Sequence, residues 1–148
     1  MSDQEPAVDL GPAALRTALY SVEAEQAVLG AILINAEAYF DVAAFLRPED
    51  FYLVKHRWIW DAFAHLHEQR QSVDVLTVSA ALEARGQLAE AGGGAYLAQL
   101  LNAVPTSIHA EAYGKIVQRD AMRRNLLEAA SKIARLAYEE GLGEGEDP

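Results

Sequence analysis

The chain has 148 residues, of which 51% are apolar, enough for one folded domain with a real core and unlike a disordered chain. It contains no cysteine, which excludes disulfides and thiolate metal sites, and no apolar run approaches the roughly 20 residues that span a bilayer. A net charge of −10, from 22 acids and 12 bases, disfavours a dedicated DNA clamp.

That charge is concentrated at the ends. Glu139 to Pro148 carries five acids and no base, and Met1 to Tyr20 carries Asp3, Glu5 and Asp9 against Arg16. Met1–Tyr20 lacks the basic start and continuous apolar stretch of a signal peptide, so a soluble, cytoplasmic chain is expected. Pro6, Gly11, Pro12 and small residues without period predict a flexible arm over residues 1–20.

The first helix starts at Ser21, a good N-cap, and runs to the break at Asn35. Its polar residues crowd into the first turn, where the helix dipole favours Glu23 and Glu25. Beyond Gln26 nothing up to Ile34 is polar, which predicts neighbours on both sides of the body and an accessible acidic tip. A second helix is expected over Glu37–Phe45, then a turn at Arg47–Phe51 with Pro48 near its start.

The third helix, about Lys55 to Gln69, has Trp58, Ile59, Ala62, Phe63 and Leu66 on one arc, with Trp60 pointing away. Asp74 caps a fourth helix with Leu76, Ala80 and Leu82 inward, and Gly86 is its left-handed stop, with Leu88 packing back. Gly92–Gly94 reads as a break before a short helix, Ala95–Asn102. Val104-Pro105-Thr106-Ser107 ends that helix and caps the next.

From Ile108 to about Glu140 one helix of roughly 45–50 Å is expected at about 1.5 Å per residue. Ala112, Tyr113, Ile116 and Val117 form an inward arc, which Arg119, Asp120, Arg123 and Arg124 interrupt. A new stripe of Leu126, Ala130, Ile133 and Ala137 then follows at spacings of 4, 3 and 4, flanked by Leu127, Ala134 and Tyr138. No later helix is present to cover it. Another copy, or a missing continuation of the chain, is expected to do so.

Catalytic patterns are absent. Gly92–Gly94 lacks the Lys and hydroxyl of a phosphate cradle, and His65 and His67 point to different sides of their helix. His56 reads as a half-buried structural histidine. Glu49-Asp50 reads as a helix-start pair. The basic residues Arg119, Arg123 and Arg124, with Lys115, leave an alternative open: a helical nucleic-acid-binding module. Its blander counterpart is a solvated face with an Asp120–Arg124 pair.

Several stretches taken in order carry a resemblance. SVEAEQAVLGAIL, RPEDFY, HRWIW, DVLTVSAALEARGQL, GGGAYLAQL, AVPTS and AYGKIVQRDAMRRNLLEAASKIARLAY resemble the N-terminal domain of the bacterial DnaB-type replicative DNA helicase, from about Ser21 to Tyr138. The chain departs from the family's often Pro-rich approach to the first helix, with Ala18-Leu19-Tyr20 before Ser21.

The resemblance implies an all-α fold: a small helical head over 21–104, then the first helix of a hairpin over 105–140, with 141–148 a flexible acidic tail. It implies that the second hairpin helix and the RecA-like ATPase motor, with its ATP and Mg, lie outside this chain, leaving a non-catalytic piece without cofactors. Family members are hexamers, trimers of dimers, that unwind the replication fork. Expected partners are therefore further copies through Leu126, Ala130, Ile133 and Ala137, the primase C-terminal domain, and a helicase loader. DNA would be met mainly by the motor. Carried onto matching positions, the primase-docking residues are Glu23, Tyr96 and Leu127.

Overall fold

The computed structural model describes residues 19–104 and 109–143, with side chains to Glu139. Among the described residues there are six α-helices and one 3-10 turn, and no strand. The α-helices are α1 (Val22–Ile34), α2 (Ala38–Ala43), α3 (Val54–Glu68), α4 (Val75–Ala84), α5 (Gly93–Leu101) and α6 (Ala110–Gly143), with the turn at Pro48–Asp50. This is the all-α head and long final helix that the sequence predicts. The expected arm over residues 1–18, the cap at Pro105–Ser107 and the tail end at 144–148 lie outside the described residues.

Helix α1 is the central element. It touches α2, α3, α5 and α6, which is why its body carries no charge. The Ser21 hydroxyl accepts from the Ala24 amide at 3.0 Å, the cap the sequence predicts. Small residues let neighbours come close. A Cβ on Gly30 would lie 2.8 Å from Val104 Cγ2 and collide with the Leu100 carbonyl oxygen, so α1 meets the last turn of α5 backbone to backbone, with the Val104 side chain beside it.

The acidic tip is only half as accessible as expected. Glu23 is exposed, but Glu25 is buried. Helix-dipole compensation therefore does not account for Glu25.

In α3 the buried arc is His56, Ile59, Trp60, Ala62, Phe63 and Leu66. The expectation for the two tryptophans is reversed. Trp60 is buried against Tyr39, Phe51 and Phe63, while Trp58 is half-buried at the arc's edge. The arc is centred on Ile59 and Phe63 because α3 packs on three sides. His56 is fully buried rather than half-buried for the same reason.

In α4 the inward residues are Val78 and Leu82, with Val75 and Ala81 beside them; Leu76 and Ala80 point out, contrary to expectation. Leu76 and Ala80 sit on the side of the helix opposite Val78, so their apolar character misled the pattern. Asp74 and Thr77 cap α4 reciprocally at 2.8 and 3.0 Å. Gly86 has φ +68°, and the Gln87 amide reaches the Leu82 carbonyl at 2.9 Å, closing a Schellman stop. Leu88 packs back on the core as predicted. The glycine run is not a plain break: Gly92 is the left-handed N-cap of α5, and Gly93 and Gly94 lie in its first turn.

Helix α6 lies on the head through Ala110, Tyr113, Gly114, Val117 and Ala121, while Ala112 faces out. Asp120 is buried and Arg124 half-buried, so these charges continue the inward arc rather than interrupting it. From Met122 to Glu139 no residue is buried. The helix runs through Gly143, past its expected end near Glu140.

Candidate docking surfaces

Glu25 has a polar partner for each oxygen. Oε2 accepts from the Tyr52 amide at 2.6 Å. Oε1 lies 3.4 Å from the Leu53 amide and 2.7 Å from His56 Nδ1. His56 Nε2 in turn lies 2.6 Å from the Tyr96 hydroxyl, which accepts from Gln26 Nε2 at 3.2 Å.

One assignment of protons satisfies every member. Tyr96 O–H donates to Nε2, and His56 Nδ1–H donates to the carboxylate. Burial raises the Tyr96 hydroxyl above its usual 10; the Gln26 hydrogen bond opposes this and the Glu25 charge adds to it. The chain of contacts ties α1, α3 and α5 together at the start of α3, whose N-cap Leu53 supplies no side-chain cap of its own.

This network was not legible beforehand. Its signals were a second glutamate in the first turn of α1, next to the apolar run, and a histidine beside the expected arc of α3. Neither residue names its partner, because Glu25 and His56 are 31 positions apart.

The docking residues implied by the resemblance occupy different environments. Glu23 is exposed at the mouth of a cleft of about 290 Å³, with Ala24 and Ala27 of α1, Ala103, and Tyr113 and Ile116 of α6. Tyr96 is 8% exposed, its hydroxyl bound within the network and its ring face covered by Lys55 Nζ at 3.7 Å. The edge it builds is presented to solvent by half-buried Gln26 and Lys55. Leu127 is half-buried on α6, one turn beyond Arg124.

The basic residues are also divided. Arg124 donates to the Leu19 and Asp50 carbonyls, both at 2.9 Å, and lies over the Tyr52 ring. Arg119 pairs with Asp120 at 3.2 Å; this replaces the expected Asp120–Arg124 pair, because Arg124 turns toward the loop before α3. Arg123 is exposed and has no carboxylate within salt-bridge distance among the described residues.

The stripe on α6 is as bare as predicted. Leu126 is 68% and Ile133 67% exposed, and Ala130 and Ala137 are exposed beside them. Met122 and Leu136 extend it, two residues the sequence reading missed. Met122, Leu126, Ala129, Ile133 and Leu136 keep 4, 3, 4, 3 spacing, the seam of a helix partner. At about 100° per residue this seam is turned roughly 120° around the helix from the arc that meets the head. Farther back, the same outer side carries Glu111, Lys115 and Arg119. The outer face changes from charged to apolar at Met122.

Among the described residues no helix is long and apolar enough to cross a membrane, and no group of three or more His, Asp or Glu is placed to hold a metal ion.

The family model of the DnaB-like helicase N-terminal domain matches residues 17–119. The replicative DNA helicase DnaB of Geobacillus stearothermophilus is 42% identical over 118 residues, 80% of this chain and 26% of that helicase. The chain spans about a quarter of the length of the curated relatives it matches. The crystal structure of the N-terminal domain of DnaB helicase from Mycobacterium tuberculosis superposes with a TM-score of 0.81 at 38% identity, covering 82% of this chain and 87% of that one. A DnaB-like replicative helicase, described with its interactions with primase, superposes with a TM-score of 0.69 at 28% identity, over 84% of this chain and 29% of that one. With a family match over most of its length and the same helical fold, the chain belongs to the DnaB-like helicase N-terminal domain family.

Proposed function

We propose that this chain is the collar part of a replicative helicase: it assembles with copies of itself, docks primase, and performs no catalysis. The observation that carries this reading is the apolar seam from Met122 to Leu136 on a helix whose earlier turns, through Ala121, already pack on the head. An uncovered seam with small residues suits a helix laid close alongside. In the whole helicase it would be covered within a hairpin and between hairpins, in a hexamer built as a trimer of dimers. ATP, Mg and DNA would be handled by the motor, at the replication fork in the cytoplasm, where a loader would also act.

Primase docking is supported by the relative described with primase. On this chain we place it around Glu23, Tyr96 and Leu127. Glu23 is free to meet a basic side chain. Tyr96 would act through the edge it holds in place, Gln26 and Lys55. Leu127 would add apolar contact from α6.

Two measurements test the reading. Sedimentation of the chain should show a dimer or larger that Ile133→Asp converts to monomer; an unchanged mass removes the seam. Titration with the primase C-terminal domain should give binding that Glu23→Lys weakens about tenfold, the size of one charge-assisted contact, with an unchanged thermal melt. Wild-type affinity in Glu23→Lys and Tyr96→Phe alike would sink the docking assignment.

A further inference from the structure

Three aromatic rings meet where α2 passes the end of α3. Tyr39 stacks on His67 at 4.3 Å, and Phe40 meets His67 edge-on at 4.9 Å and Tyr39 at 5.7 Å. Buried Trp60 lies beneath Tyr39 at 5.1 Å and fixes the cluster to the core. The outer members are not covered. Phe40 is 59% exposed, and Tyr39 and His67 are half-buried.

The rim of this face is acidic. Glu37, Asp41 and Glu68 are all exposed. Two of them are close enough to act on the rings: burial raises the Tyr39 hydroxyl and Glu68 adds to it, while burial lowers His67 and Glu37 opposes. Among the described residues no cation lies within salt-bridge distance of any of the three carboxylates. His67 Nε2 is shielded from water and has no hydrogen-bond partner.

The fold does not use this face elsewhere. Val42 of α2 and Phe45 just beyond it turn toward α6, where Lys115 lies over the Phe45 ring. Phe40 projects about 160° from Val42 around the helix, away from α6. Ile34, where the chain leaves α1 for this face, and Glu23 sit at opposite ends of α1, roughly 16 Å apart along its axis.

We propose that the Tyr39–Phe40–His67 face, with its rim of Glu37, Asp41 and Glu68, is a second docking surface that takes a cationic amphipathic segment of another protein. Exposed aromatics supply a rigid apolar contact, and they are the residue types most often enriched at interface cores. The unpaired carboxylates select lysine or arginine beside that contact. The same carboxylates repel phosphate, which argues against nucleic acid. The surface is separate from the seam and from Glu23, so one copy of the chain would hold this segment and its other partners together.

The test is a titration of the isotope-labelled chain, followed by NMR, with two synthetic helical peptides of equal apolar content, one bearing arginines and one glutamates. The arginine peptide is expected to move the amide signals of residues 37–41 and 65–70. Its binding should weaken about tenfold in Phe40→Ser and in Glu37→Lys/Glu68→Lys, but not in the charge-matched Glu83→Lys/Glu90→Lys. Equal weakening by both charge pairs, or shifts centred elsewhere, would mean bulk attraction to an acidic chain and overturn the proposal. So would movement of the same signals by a single-stranded oligothymidylate, or on dilution of the unliganded chain, which would give the face to nucleic acid or to a second copy.

Discussion

The head and the distal half of α6 treat polarity in opposite ways. The head, with the first turns of α6 packed on it, buries polar groups: Glu25, Asp50, His56 and Asp120 are all inside, each with a defined partner. The arm exposes hydrocarbon: Leu126, Ile133 and Leu136 face water on a helix that ends in acid. A buried charge that is fully bonded specifies one arrangement of its neighbours, since any shift leaves it unpaired. An exposed seam specifies nothing until a second helix arrives. The head is therefore organised by its own contacts, while the arm beyond Arg124 has no buried residue among those described and rests on helix propensity.

The largest test of this contrast is Glu25→Ala. It removes the acceptor for two backbone amides and for His56 inside the head, and at about 1–3 kcal/mol for each donor left unsatisfied should cost about 3 kcal/mol or more. Urea denaturation monitored by tryptophan fluorescence checks it, since Trp60 lies in the core. A loss below 1 kcal/mol would mean that water replaces the carboxylate and that the head's polar interior is not organising it.

Gly30→Ala comes next. The added methyl has no room against Leu100 and Val104, and overpacking of this kind costs about 1–3 kcal/mol. The same assay reads it. A neutral result would show that α1 and α5 can move apart and that the central helix is held less tightly than its burial implies.

Ile133→Asp should leave the stability of the head within about 0.5 kcal/mol of wild type, as for surface substitutions, while it breaks self-association. A comparable loss in both readouts would erase the division between the two regions.

The smallest effect is a pH dependence confined to the head. Burial holds His67 below its usual 6.5, with Glu37 pulling it partly back. The unfolded chain then binds the proton more readily, so stability present above about pH 6.5 is lost as pH falls toward the folded value. Glu37→Gln removes the opposing charge and should deepen that loss. Urea midpoints of the two chains should agree near about pH 8 and separate near about pH 5.5; parallel curves would show that Glu37 does not reach His67.

Local signals were read correctly where a residue's role depends on its nearest neighbours in the chain. Ser21 and Asp74 as caps, Gly86 as a stop, the order of helices and the bare stripe on α6 all follow from spacing within about two turns. The family resemblance belongs with these, because it rests on short stretches in a fixed order. The fate of individual polar residues inside the head was not legible in that way. Glu23 and Glu25 look alike in the sequence, yet one faces water and the other is buried. Trp58 and Trp60 exchange their expected places, and Arg124 turns from a surface cation into a tie between α6 and the loop before α3. Helical periodicity says which residues share a side, but not how many sides are covered. That number is set when α1 is surrounded by four helices, and only then does a carboxylate find the amides, the histidine and the tyrosine that make its burial affordable.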